Sequence, residues 1–233
     1  MPHASPVRLR AVLLDIDGTL VDSNEAHARA WHEVFARHGR DVSLDAIRDA
    51  IGKGGDKLLR ELGHLDDESD EGEAIAEERK ALFAASYLPQ LRGFPGARGL
   101  VERLLAEGLK VGIATSASES EVEALLRVAG VADLVKIRTS ADDAERSKPD
   151  PDIVLAALHR AGVKAAEAIL LGDTPYDVAA ANRAGASAVG VESGGWSAAD
   201  LQPAIAVYRD VGDLLARFDA SPFAGIRPSR RAG

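Results

Sequence analysis

The stretch AVLLDIDGTLVDSN, residues 11–24, runs from an apolar strand straight into two carboxylates, Asp15 and Asp17, separated by one isoleucine. Like charges that close repel, and Gly18 and Thr19 follow at once. Asp and Gly are common turn residues, so an exposed turn is one reading. A cation site at the end of a buried strand is the other, and only the rest of the chain can decide between them.

Downstream, short apolar runs recur at KVGIAT (110–115), LVKIRT (134–139), AILLG (168–172) and ASAVGV (186–191). Between them lie helical patterns at 97–107, 119–129, 151–161 and 176–184, several closed by glycine at 108, 130, 162 and 185. Repeated βα units of this kind predict an α/β fold, a doubly wound, Rossmann-like parallel sheet covered by helices on both faces. One segment breaks the alternation. From about Ser23 to about Leu88 the pattern is helical throughout, and the Pro- and Gly-rich LPQLRGFPG reads as a hinge. The expected organisation is a core of residues 1–21 and 90–233 with an all-helical cap of residues 22–89 inserted after the first strand.

Composition narrows the function classes. The 233 residues suffice for one substantial core plus a smaller insert, or for two modest domains. There is no cysteine, which excludes disulfides, zinc-thiolate sites and cysteine nucleophiles. The formal net charge of -9 disfavours nucleic acid and anionic membrane as partners. No apolar run is long enough to span a bilayer and MPHASPVRLR does not read as a signal peptide, so a soluble cytoplasmic protein is expected, and the modest aromatic content fits a monomer or weak dimer. The acidic run HLDDESDEGE and the basic tail RPSRR (227–231) read as solvated segments.

Ligands of open α/β sheets bind at the carboxyl ends of the strands. There the sequence collects Asp15, Asp17, Gly18 and Thr19 after the first strand, and Thr115 and Ser116 after the second. Lys148 and Pro149 stand before a helix, and Asp173, Thr174, Pro175, Tyr176 and Asp177 follow AILLG. Singly, each has an ordinary reading as a helix cap or turn residue. Together they bring several acids to one crevice. Two unit charges about 4 Å apart at an effective dielectric near 20 repel by roughly 4 kcal/mol, comparable with much of a domain's net stability. A hard divalent cation removes that penalty. Oxygen donors without cysteine favour Mg²⁺, which recruits an anionic oxygen such as that of a phosphate.

The quartet DIDGT, Thr115, KPDP and GDTPYD closely resembles the four motifs of the haloacid dehalogenase superfamily, and a helical insert after DIDGT is similar to that family's helical C1 cap. The similarity extends to the phosphoglycolate phosphatase and β-phosphoglucomutase-like subfamily. The resemblance implies a Mg²⁺-dependent phosphatase of small phosphorylated metabolites. In it Asp15 is the nucleophile that forms an aspartyl-phosphate, and Asp17 is the general acid and base. Mg²⁺ is held by Asp15, Asp173 and the carbonyl of Asp17. Thr115 and the amide of Ser116 hold the transferring oxygens, Lys148 balances charge, and Asp177 supports the lysine or a metal-bound water. Gly18 lets the backbone turn closely around the site. In the cap, His27 and Lys53 are candidates for substrate binding, Lys53 for a second anionic group.

Asp17 argues against the dehalogenase and phosphonoacetaldehyde hydrolase branches, which lack an acid at that position. A β-phosphoglucomutase-like sugar phosphomutase is the close rival. Its expected arginine after the cap loop is replaced here by Gly55 and Asp56. A phospho-accepting receiver module is the alternative from another class, but receivers carry their phosphoacceptor on a later strand and have no large helical insert.

Overall fold

A computed structural model describes residues 8–224. The basic tail at 227–231 lies outside the described residues. Strand β1 (Ala11–Leu14) is followed by four helices, α1 (Asn24–Arg37), α2 (Leu44–Ala50), α3 (Gly55–Glu61) and α4 (Asp70–Leu82). The chain then alternates through α5 (Ala97–Ala106), β2 (Lys110–Ile113), α6 (Glu119–Val128) and α7 (Asp152–Ala161). It ends with β3 (Ala168–Gly172), α8 (Pro175–Ala184), β4 (Ser187–Val191), β5 (Ala206–Tyr208) and α9 (Val211–Ala216).

The described strands form one parallel sheet in the order β2-β1-β3-β4-β5. β1 lies inside the sheet, between β2 and β3, and its residues are apolar on both faces. Val12 and Leu14 pack with α5, α6 and α9, and Ala11 and Leu13 pack with α7 and α8. Each such side chain taken fully out of water contributes roughly 1.5–3 kcal/mol. Chain order reverses between β1 and β3, and that opens a crevice at their carboxyl ends.

One expected strand is absent as such. At 134–139 the chain makes a single parallel bridge, Ile137 to Gly112, with two backbone bonds to Ile113 flanking it. Lys136 and Arg138 alternate with the apolar residues there, and Arg138 turns back to the carbonyls of Ala132 and Val135, so the segment lies against the sheet edge without extending it. Conversely, β5, which was not expected, closes the other edge.

The helical insert has its own apolar centre, built from Trp31, Phe35, Ile47, Leu58, Leu59 and Ile75. Its two connections to the sheet run side by side. Val21 bridges Gly93 antiparallel, the Asp22 amide donates to Arg92 O (3.0 Å), and the Phe94 amide donates to Leu20 O (2.9 Å).

Candidate active site

The turn after β1 is held by Ile16, whose carbonyl accepts from the amides of Thr19, Leu20 and Val21. Gly18 has φ +72°, and a Cβ there would stand 2.1 Å from Asp173 Oδ2. Only glycine lets the turn come this close to Asp173. The Asp15 amide donates to Leu171 O of β3 (2.9 Å), which fixes Asp15 at the reversal crevice.

Asp15 and Asp17 point into different surroundings. Asp15 Oδ1 accepts from Lys148 Nζ at 2.6 Å, and the same ammonium donates to Asp177 Oδ1 at 2.6 Å. Asp177 is itself fixed by a capping box at the start of α8. Its Oδ2 accepts from the Thr174 amide (3.1 Å) and hydroxyl (2.6 Å), and its amide donates to Thr174 Oγ1. Asp17 Oδ1 instead meets the first helix of the insert, where Ser23 Oγ donates at 2.5 Å and His27 Nε2 lies 2.9 Å away. His27 stacks on Phe83 with ring centroids 4.0 Å apart.

Asp173 is fully buried at the end of β3 and takes hydrogen bonds from Thr19 Oγ1 (3.0 Å) and Asn24 Nδ2 (2.9 Å). Asp15, Asp173 and Asp177 each offer a buried carboxylate oxygen, and these lie within 4.8 Å of one another. Such a group can hold a metal ion, and a donor set of oxygen alone suits a hard cation.

The electrostatics match that need. Burial pushes the Asp15 carboxyl up to about 7; Lys148 opposes the shift while Asp177 and Asp17 add to it. Burial, then the charges of Asp177 and Asp15, drive Asp173 well above the usual carboxylate range against its hydrogen bonds. Burial would also raise Asp17, but His27 and Ser23 outweigh it and hold that carboxyl below its ordinary value. Burial would depress Lys148, and the two carboxylates it touches raise it instead.

Above these groups is a narrow chamber of about 50 Å³. Asp15, Asp17, Thr115 and Ser116 line it from the sheet, and His27, Lys53 and Arg79 from the insert. Thr115 Oγ1 accepts from the Ala117 amide at 3.1 Å, which shapes the turn after β2. Ser116 Oγ donates to Gly52 O across the gap. The structure thus brings Asp15, Asp17, Thr115, Ser116, Lys53 and His27 to one chamber, while Lys148, Asp173 and Asp177 do not line it but cluster with Asp15. Lys53 has its Nζ on Glu61 and 4.9 Å from the Tyr176 ring centroid.

Three contributors were not foreseen from sequence. Asn24 binds Asp173, and Arg79 of α4 pairs with Glu121 of α6 at 2.6 Å, both nearly buried. A signal for Arg79 was available, since Ile75, Arg79 and Phe83 recur every four residues on one helix face and all three are buried.

Comparison with known proteins agrees with this geometry. The family model described as haloacid dehalogenase-like hydrolase matches residues 12–191. The chain belongs to this family. A phosphoglycolate phosphatase of Rhodospirillum rubrum is 35% identical over 219 residues, covering 88% of this chain and 89% of the relative. A hydrolase structure from Pseudomonas syringae superposes with a TM-score of 0.84 at 31% identity, covering 93% of this chain and all of that one. A β-phosphoglucomutase from Clostridium difficile shares the fold, with a TM-score of 0.78 at 20% identity over 91% of this chain and 100% of its own. As a haloacid dehalogenase-like hydrolase, the chain keeps the parallel sheet and the hydrolase class expected from its motifs, and the Rhodospirillum rubrum relative carries the name of a phosphatase.

Proposed function

We propose that this hydrolase is a Mg²⁺-dependent phosphomonoesterase acting on a small phosphorylated metabolite through an aspartyl-phosphate on Asp15. The observation that carries the reading is the contrast between two carboxylates two residues apart. Asp15 is held between Lys148 and the acid cluster, and Asp17 is held apart from both by Ser23 and His27.

Asp15 and Asp173, with the Asp17 carbonyl, are the residues that would hold Mg²⁺, and Asp177, which completes the acid cluster, would anchor Lys148 beside them. When bound, the ion supplies positive charge that keeps Asp15 ionised and polarises the phosphoryl oxygens. The Asp15 carboxylate then attacks phosphorus in line while the ester oxygen leaves. Asp17 gives that oxygen its proton, and the incoming phosphate's negative charge favours the protonated form it needs. In the second half Asp17, ionised again, takes a proton from the water that cleaves the acyl-phosphate. Thr115 and the Ser116 amide hold the phosphoryl oxygens, Lys148 balances their charge, and Asp177 fixes Lys148. His27 positions Asp17, and Lys53 stands at the chamber mouth as a contact for substrate.

The helical insert acts as the lid. Among the described residues no helix is long and apolar enough to cross a membrane. The reading extends to a cytoplasmic protein acting as a monomer or weak dimer. The experiment is a panel of phosphate esters assayed for inorganic phosphate with Mg²⁺ and with EDTA. Metal-dependent release is expected. Transfer of the phosphoryl group to a sugar, with no free phosphate, would replace this reading by the mutase.

A further inference from the structure

The start of α1 commits its polar side chains to the sheet rather than to the helix. Ser23 stands at the N-cap, where a hydroxyl normally accepts from a first-turn amide, yet it makes no such bond and donates to Asp17 instead. Asn24 follows at the first helical position, and its Nδ2 donates to Asp173 Oδ2 at 2.9 Å and to Gly194 O at 3.4 Å. The two acceptors fix the amide plane. Glycines bracket the same oxygen, since a Cβ at Gly18 would stand 2.1 Å from Asp173 Oδ2 and one at Gly194 1.7 Å. Asp173 is 0% exposed, and among the described residues its side chain takes hydrogen bonds from Thr19 on Oδ1 and Asn24 on Oδ2. Each oxygen keeps a lone pair for a cation, and the two donors set the carboxylate plane. Thr19 belongs to the turn after β1. Asn24 belongs to the insert, whose apolar centre α1 enters through Trp31 and Phe35.

We propose that Asn24 is a positioning residue that orients Asp173 for Mg²⁺ and joins the metal site to the insert, so that ion binding and the seating of α1 favour each other. This rests on the phosphomonoesterase reading and adds a link between its metal and its lid. The link is reciprocal, because whatever the seated helix adds to metal affinity the metal adds to the seating of the helix. It also has a chemical signature. Mg²⁺ demands near-octahedral geometry at short distances, whereas Ca²⁺ accepts a looser arrangement of oxygens. A donor that aims one carboxylate therefore matters more for the smaller ion.

The test is calorimetric titration with Mg²⁺ and with Ca²⁺ of wild type, Asn24→Leu, which keeps the bulk without the donor, and Asn24→Ala, which leaves room for a water. The Mg²⁺ dissociation constant should rise about 10–100-fold in both variants, the usual cost of losing a partner that orients a metal ligand. Ca²⁺ should lose far less, so the preference between the ions shifts. Hydrogen exchange reads the other side of the link. Adding Mg²⁺ should slow exchange at the His27 amide, which closes the first turn of α1 on Ser23 O at 2.9 Å, in wild type and not in the variants. Unchanged Mg²⁺ affinity in both variants, an equal fold loss for the two ions, no protection of His27 in wild type, or protection that persists without the amide overturns the inference and leaves the phosphatase reading standing. A wild type that binds no Mg²⁺ and releases no phosphate from p-nitrophenyl phosphate fails both.

Discussion

Lys148 and Asp177, 29 residues apart in the chain, meet at 2.6 Å with each side chain only 1% exposed. The same ammonium reaches Asp15. Because Asp177 is locked by the Thr174 capping box, the lysine has one position, and through it Asp15 has one as well.

Replacing Lys148 by Met should strand two buried carboxylates. Loss of one partner of a buried pair costs about 3–5 kcal/mol. Urea denaturation should show a loss of that order for Lys148→Met, and adding Asp177→Asn should recover part of it. A single variant as stable as wild type would contradict the shared ammonium.

Asp17→Asn should separate the two half-reactions. With p-nitrophenyl phosphate the leaving group needs no proton, so Asp15 should still be phosphorylated while hydrolysis slows by about 10²–10⁴-fold. Rapid mixing should show a burst of one nitrophenolate per enzyme followed by a slow phase. Asp15→Asn should show no burst, and a burst in that variant would remove Asp15 from its role.

Mg²⁺ should stabilise the fold, by about 2.7 kcal/mol at a hundred times its dissociation constant. Asp173→Asn and Gly18→Ala should both lose this gain in thermal melts. The first removes a donor, and the second places a methyl 2.1 Å from that donor's oxygen at a φ of +72°. A full magnesium-dependent shift in either would place the ion elsewhere.

Glu121 gives a pH dependence of known sign. Burial would raise its carboxyl, but Arg79, His27 and Ser118 outweigh it and hold it below the ordinary value of 4.5. A depressed carboxylate contributes stability that is present above 4.5 and is lost as pH falls through the lower native value. The stability difference between wild type and Glu121→Gln should therefore be constant at neutral pH and shrink below about 4.5. A difference that grows on acidification would contradict the pairing with Arg79.

The sheet was legible because β1 carries apolar residues on both faces and helices α5 to α8 show their period; their observed ends lie within a residue or so of the expected ones. The edges were not. At 134–139 the alternation was right for a strand, but pairing at an edge depends on where Arg138 turns, and β5 is only three residues long. At the site, every motif residue at a strand end was readable, because topology alone brings strand ends together. Arg79 and Glu121 were not, because their contact spans 42 residues and joins the insert to the sheet's helices, a meeting no local pattern encodes. Asn24 was missed for the same reason, its partner Asp173 being 149 residues away.

The paired crossings at Val21 and Gly93 have a mechanical result. Two connecting segments tied to each other by backbone bonds would give the insert one axis to swing about and little freedom to slide. Ser23 and His27, which grip Asp17, lie just beyond that axis. A swing of the insert about that axis would therefore pull on Ser23 and His27 and loosen their hold on Asp17, tying the proton chemistry proposed for Asp17 to the position of the insert.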